Sequence, residues 1–499
     1  MPGLPATESL WVATAPESNR PQLTRDLEAD VAVLGAGMLG VSAAVLLAEA
    51  GRSVVMLDMH RVGMGVTGYT SAKVTSQHQI LYSQIEKKFG EDGARAYGQA
   101  NEDALARIAR WAAEGIECDF EAQDAYVWTE EEGEVETLEA EYEAALRAGL
   151  PATLTSNTPL PFPALGALRF ENQAQFHPRK FALGMAERFE AAGGQIFEQT
   201  RATSVKDGSP ARVGTDTGAT LTAGIVVLAT HFPFLDRGLF FARMHPERSY
   251  CIAARLEGPA PEGMHISAES PSRSIRRYGE DLLVVGGEGH KSGQEADTRV
   301  RYERLEAYAR ERFDVREIPY RWSAQDAVSA DGVPFVGKIA PGSKSILTAT
   351  AFGKWGLTNG VAAAVMLADR IQERENPWAS TFDSSRLKPS ADLVKENADV
   401  GVQMTKGHLS PADTRSLDDV GAGEGAIVRV GREKLAVHRD AGGGLHAVSA
   451  VCTHLYCQVA WNTAERSWDC PCHGSRFDPD GRVLEGPAVK DLAPKEIDT

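Results

Sequence analysis

Residues 31–58 read VAVLGAGMLGVSAAVLLAEAGRSVVMLD. Residues 31–34 are a short apolar run that suits a buried parallel strand, and Gly35-Ala36-Gly37-Met38-Leu39-Gly40 follows at once. Gly35 permits a tight turn, Gly37 lets backbone approach a pyrophosphate, and Gly40 lets the next helix pack close to the sheet. Ala44 and Gly51 continue the small side of that helix. Residues 54–57 form a second strand, and Asp58 at its end can accept hydrogen bonds from a ribose. The same glycine spacing occurs in ordinary surface turns. Here a strand precedes it, a helix follows and an acid closes the unit, so the stretch reads as a dinucleotide site with the pyrophosphate on the helix N-terminus.

A chain of 499 residues holds two domains or more. A formal charge of −17 argues against nucleic acid and against an anionic membrane surface. No apolar run is long enough to span a bilayer and no signal-peptide pattern opens the chain, so a cytoplasmic protein is expected. Of six cysteines, Cys452, Cys457, Cys470 and Cys472 lie within 21 residues. That clustering points to a metal site rather than a secreted disulfide framework. Cys118 and Cys251 stand alone and read as small buried apolar groups.

Outward from the opening unit, residues 1–26 show no period. A glycine-bearing loop carries Gly63, Gly65 and Gly68, then Ser71, Lys73 and His78. Residues 79–114 and 130–148 read as amphipathic helices. Pro178 after His177 opens another helix. Residues 223–230 suit a buried parallel strand, and 247–290 suit antiparallel sheet. Gly286-Gly287-Glu288-Gly289-His290 reads as a strand-end turn, not a second nucleotide site. Residues 346–350 form a strand, then Phe352-Gly353-Lys354-Trp355-Gly356-Leu357-Thr358-Asn359-Gly360 leads into a helix expected over 361–372. Donors at that helix start favour developing negative charge.

Together these elements resemble the D-amino-acid-oxidase-like flavoproteins, which include glycine, sarcosine and γ-glutamylputrescine oxidases. The residues that carry the resemblance are Gly35, Gly37, Gly40, Asp58, the loop 65–73, Ala229-Thr230, Asp331-Gly332 with Pro334, and 353–360. It implies an α/β chain: a Rossmann-like FAD domain (mainly 27–78, 170–232 and 330–385) and a mixed-sheet substrate domain (mainly 79–169 and 233–329). Residues 1–26 are then an extension and 386–414 a linker. Implied FAD contacts are Gly35, Gly37, Gly40, Asp58, Thr67, Ser71, Thr230, Gly353, Gly356, Leu357 and Thr358. The loop offers Tyr69 and Thr70 but no histidine, and no cysteine falls between 251 and 452, so non-covalent FAD is expected.

From about residue 415 short β-like runs take over. Within them lie Cys452-Thr453-His454 and, fifteen residues on, Cys470-Pro471-Cys472-His473. Two thiolates and two imidazoles suit zinc. A soft and a harder ligand paired on each of two loops also suits a [2Fe–2S] cluster with Cys452 and Cys470 on one iron and His454 and His473 on the other. Residues 415–495 resemble the Rieske proteins of quinol-oxidising complexes, within an all-β domain expected over 415–499. The resemblance implies a disulfide between Cys457 and Cys472, a cluster-tuning hydroxyl at Ser475, and a proline loop at Gly486-Pro487-Ala488. High-potential members carry Tyr where Phe477 stands, so a lower potential is expected.

A flavin takes a hydride and such a cluster carries one electron. The expectation is therefore an FAD-dependent oxidation of a small amine or amino acid, with electrons leaving singly to an external acceptor. Two alternatives stand beside it: an oxygen-using oxidase whose C-terminal module senses or docks, and an NAD(P)H-linked reductase. Candidate catalytic residues are Lys354, Tyr250 and His78, with His177 behind them. Arg248, Arg277 and Arg321 are further candidates for gripping a substrate carboxylate.

Overall fold

The computed structural model describes residues 7–235, 237–295, 297–388, 395, 397–404, 412–414 and 416–497. Much of the expected linker, and residues 1–6 of the extension, therefore lie outside the described residues.

The opening unit sits at the centre of the first sheet. Its strands run in the order Phe335–Lys338, Ile346–Thr350, Thr220–Leu228, Leu27–Leu34, Val54–Leu57, Gln195–Phe197. All are parallel except Phe335–Lys338, which pairs antiparallel with Ile346–Thr350. Val31 pairs with Ile225 on one side and Val54 on the other, and residues 31–34 are all buried. A strand covered on both faces reads as a continuous apolar run, which is why that stretch showed no alternation.

Helix Met38–Glu49 packs against helix Gly356–Ile371. The second helix starts five residues earlier than the sequence pattern suggests. Its glycines belong to helix packing: a Cβ on Gly360 would lie 3.4 Å from Leu39 N. The turn itself is confined to Phe352-Gly353-Lys354-Trp355, with positive φ at Gly353 and Lys354.

The second sheet runs Val315–Ser329, Met244–Leu256, Leu282–Lys291, Arg273–Tyr278, Met264–Ser267, Glu121–Thr129, Gly166–Gln175, Lys73–Val74. It is mixed, because Met264–Ser267 lies parallel to Glu121–Thr129. Lys73–Val74 and Gly166–Gln175 pair within it, so the crossings between the two sheets fall a few residues away from the expected 78 and 170. Gly286-Gly287-Glu288-Gly289-His290 is not a strand-end turn. It lies inside strand Leu282–Lys291, paired with Arg248 and Tyr250.

The extension is pinned by Trp11. Its ring is buried, its Nε1 donates to Thr70 O at 2.7 Å, and the Arg276 guanidinium lies 4.8 Å over it. At the other end, strands Gly425–Val430, Glu433–Arg439 and Leu445–Ser449 form one small sheet. Ala460–Asn462, Ser467–Asp469, Arg476–Phe477 and Val483–Glu485 form another. Trp461, Trp468 and Phe477 fill the core between them. Among the described residues no helix is long and apolar enough to cross a membrane.

Candidate functional site

One cavity of about 480 Å³ runs from the glycine turn of the first sheet to the face of the second. At its nucleotide end Gly35 has φ +109°, and a Cβ there would lie 2.4 Å from Ala229 O. Gly37 opens helix Met38–Glu49 onto the cavity, and Thr67 Oγ1 accepts from Met38 N at 3.0 Å. Asp58 Oδ2 accepts from Ala36 N and Oδ1 from His60 N, both at 2.7 Å. Burial pushes the Asp58 carboxyl upward, against those two backbone donors.

Gly35, Gly37, Asp58, Thr67, Ser71, Thr230, Gly353, Gly356 and Leu357 all line this cavity. Gly40 and Thr358 do not. A Cβ on Gly40 would fall 1.8 Å from Gly35 O, so its role is to let the helix close on the turn. Thr358 Oγ1 donates to Thr75 O at 3.1 Å, behind the wall.

The far wall is the strand pair Met244–Leu256 and Val315–Ser329. Successive residues of a strand face opposite sides. Glu247, Ser249 and Cys251 line the cavity, together with Ala324 and Asp326, which are the cross-strand partners of Ser249 and Glu247. Lys354 Nζ meets Glu247 Oε1 at 2.9 Å, so this expected catalytic residue borders the cavity with its charge already paired.

Tyr250 borders the cavity, but strand parity turns its side chain away. Its hydroxyl is 2.8 Å from His290 Nε2, and its ring packs edge-on to Tyr302 at 4.9 Å. Tyr250, expected as a catalytic residue, therefore turns its hydroxyl away from the cavity. His78 is corrected too. It does not line the cavity, its Nδ1 is 2.6 Å from Tyr97 Oη, its Nε2 is 2.8 Å from Thr75 O, and burial pushes its pKa down to about 3. His177 caps a helix by accepting from Lys180 N.

The arginines expected to grip a carboxylate point elsewhere. Arg277 pairs with Glu121, Arg321 with Glu306, and Arg248 reaches Asp469. Lys73 is the basic group that sequence reasoning underweighted. It lines the cavity nine-tenths buried, donates from Nζ to His265 O, and has no carboxylate partner among the described residues. Burial, helped by nearby Arg276, pushes its pKa down to about 7.

The C-terminal loops bring the two Cys–His pairs together. The nearby Cys470 thiol pulls the Cys452 pKa down to about 7, and the His454 and His473 rings stand 5.1 Å apart. Both His473 nitrogens are buried without a hydrogen-bond partner, and burial pushes its pKa down to about 3. A neutral, unsatisfied imidazole beside a thiolate suits a metal centre. Cys457 and Cys472 form a disulfide, so they cannot ligate, although their sulfurs and Cys470 Sγ lie within 4.8 Å of one another. Ser475 Oγ accepts from Ala488 N at 3.0 Å, and Ser475 O accepts from Cys470 N at 2.8 Å. Phe477 is fully buried.

This module is seated on the other face of the same strand pair. Pro246, Arg248 and Gln325 point toward it. A Cβ on Gly474 would lie 2.7 Å from Pro246 Cβ. Arg248 Nε lies 3.8 Å from Asp469 Oδ2, with both side chains at most 2% exposed. Gln325 Nε2 donates to Gly474 O at 2.7 Å. The ring of Phe241 abuts His473 at 5.4 Å between centroids.

Residues 30–370 match the model of the FAD dependent oxidoreductase family (DAO), and residues 412–495 match that of the Rieske [2Fe-2S] domain. The chain is 38% identical over 501 residues to the putative Rieske 2Fe-2S iron-sulfur protein YhfW of Bacillus subtilis, covering 99% of this chain and 98% of that protein. It is 30% identical over 217 residues to gamma-glutamylputrescine oxidoreductase of Escherichia coli, covering 42% of this chain and 50% of that one. Among solved structures, glycine oxidase from Geobacillus kaustophilus aligns with a TM-score of 0.63 at 18% identity, over 72% of this chain and 99% of that one. Of the two readings of the Cys–His pairs, the Rieske match decides for iron and sulfide over zinc.

Proposed function

The chain belongs to the DAO family of FAD dependent oxidoreductases and carries a C-terminal Rieske domain; from that premise we propose that it oxidises a small amine or amino acid and releases the electrons singly to an external acceptor. The cofactors supply hydride acceptance at the flavin and one-electron carriage at the cluster. The observation that carries the reading is the strand pair with the flavin cavity on one face and the cluster module on the other. An oxidase that hands its electrons to oxygen inside the cavity has no use for that arrangement. The similarity to gamma-glutamylputrescine oxidoreductase supports an amine as the reductant.

The chain's own residues then divide the work. The glycine turn and the start of helix Met38–Glu49 bind the pyrophosphate, and Asp58 holds the ribose. Amides at the start of helix Gly356–Ile371 stabilise negative charge that builds up on reduction. Lys73 Nζ, neutral at or above about pH 7, takes the proton that a substrate ammonium must lose before its carbon can give up hydride. Glu247 and Lys354 form a paired acid and base on the substrate wall, able to meet an ammonium and a carboxylate respectively. Arg201 is the only arginine lining the cavity among the described residues, and it lies close to Asp491 of the cluster module. This wall therefore favours a substrate that does not depend on an arginine clamp.

The test is anaerobic. A panel of amines and amino acids is added to the holoenzyme, and flavin bleaching is followed together with the low-temperature EPR signal of the reduced cluster. A donor that bleaches the flavin and brings up the cluster signal supports the proposal. Bleaching without any cluster signal would leave an ordinary oxidase.

A further inference from the structure

Residues 483–489 belong to two sites at once. Val483, Leu484, Glu485, Gly486, Ala488 and Val489 line the flavin cavity, although they come from the cluster module. On the cavity side His60, two residues beyond Asp58, holds the loop with Nε2 3.1 Å from Leu484 O. On the cluster side Ala488 N donates to Ser475 Oγ at 3.0 Å, and Ser475 O accepts from Cys470 N at 2.8 Å. A cavity-lining residue is thus two hydrogen bonds from a cluster cysteine. Gln325 makes a second tie: it borders the cavity and its Nε2 donates both to Gly474 O, next to His473, and to Glu485 Oε2 at 3.3 Å.

We propose that residues 483–489 are a shared wall through which the flavin and the cluster of the same chain exchange electrons, and that the FAD site is complete only when the cluster module is seated. The inference rests on the reading above for the presence of both groups, but not on the identity of the substrate. With both groups bound, the exchange across this wall would be one electron from the two-electron-reduced flavin to a ferric iron of the cluster, with one flavin proton released to solvent. The second electron follows once an external one-electron oxidant has emptied the cluster.

Two consequences separate a shared wall from a module that merely docks. Transfer is first-order, with no dependence on protein concentration. Removing residues 415–499 also opens the cavity, so FAD retention falls with the cluster.

The experiment uses the holoenzyme and no substrate. Its flavin is photoreduced anaerobically with a sacrificial donor, and the growth of the reduced-cluster EPR signal is timed over a hundredfold dilution. One unchanged rate constant is expected. A rate that falls in proportion to concentration, or no cluster reduction at any concentration, overturns the proposal. Transfer between subunits of a stable oligomer is tested with mixed oligomers of Cys452→Ser and Gly37→Leu chains, in which flavin and cluster sit on different chains. No cluster reduction is expected there, and reduction at the wild-type rate overturns the proposal. His60→Leu, which frees the loop from the cavity side, is expected to raise FAD dissociation at least tenfold. Unchanged FAD retention in that variant would overturn the claim that the loop completes the site. A failure to find any oxidisable amine would defeat the substrate reading and leave these results standing.

Discussion

Gln325 and Gly474 are 149 residues apart in the chain, and the Gln325 side chain donates to the Gly474 carbonyl at 2.7 Å with both groups buried. Gly474 has φ +76° and lies so close to Pro246 and Gln325 that a Cβ would meet both within 2.7 Å. The cluster loop is therefore fitted to one face of the strand pair rather than tethered near it. Gln325→Leu keeps the bulk and leaves the Gly474 carbonyl without its donor, at a cost of about 1–3 kcal/mol. The expected outcome is a lower melting temperature for the cluster module, together with a changed EPR line shape from the neighbouring His473. An unaltered spectrum and melting curve would count against a fitted seat.

Arg248 gives a second, electrostatic prediction. Its guanidinium and the Asp469 carboxylate are both out of water, and Asp469 is shared with Arg476 at 3.1 Å. Burial raises the Asp469 pKa, but Arg476 and Arg248 outweigh it and the carboxyl is held below its usual range. Arg248→Leu leaves that charge with one cationic partner instead of two. Breaking a buried pair costs roughly 3–5 kcal/mol, and the remaining arginine puts the expected loss near or below about 3 kcal/mol. Denaturant unfolding should show it as an earlier release of the C-terminal module. Arg248→Lys should recover part of it.

We take Ser475 as the cluster-tuning hydroxyl that the Rieske resemblance implies, bonded to a cluster sulfur. A hydrogen bond to a cluster sulfur favours the reduced, more negative state. Ser475→Ala removes it and also orphans the Ala488 amide. The midpoint potential should fall by about 60 mV, which is a tenfold change for one electron. Phe477 is buried in the module core, and Phe477→Tyr adds a hydroxyl where the resembling high-potential proteins carry one. The potential should rise if that hydroxyl reaches a sulfur. EPR-monitored redox titration reads both changes.

What the sequence revealed was local in the chain. The glycine turn and each Cys–His pair lie within a few residues, and Asp58 follows its partner Ala36 by only 22, one strand–helix–strand unit, so spacing along the chain pointed to them. Tyr250 was misread because alternation along residues 247–290 shows that a strand has two faces but not which face looks at the flavin. That choice depends on the cluster module, which covers the side bearing Pro246, Arg248 and Gln325. Lys73 was recognised only as one of several loop residues, since its depth is set by Gln175 and His265, on strands far along the chain. Gly360 looked like part of a turn because a close helix contact and a turn call for the same residue.

Lys73 yields the last prediction, and its sign follows from burial. Its pKa is lowered to about 7 because a charge in the cavity wall is poorly solvated. Below that value the side chain is an ammonium and cannot accept a proton. Above it the side chain is a free amine poised to do so. The rate constant for flavin reduction by an amine should therefore rise with pH, about tenfold per unit below roughly pH 7, and level off above it. Lys73→Met should flatten that limb and lower the plateau by about 10²-fold or more, the usual contribution of a positioned base. Lys73→Arg keeps a cation that does not deprotonate, so it should be as slow as the methionine variant at high pH. The folding balance carries the same signature in reverse. The unfolded lysine binds its proton up to about pH 10, so the penalty for burying it is full below about pH 7 and fades as pH rises between the two values. Lys73→Met should therefore stabilise the fold most at neutral pH and least near pH 10. A reduction rate whose pH dependence is the same in wild type and Lys73→Met would remove this lysine from the proton path.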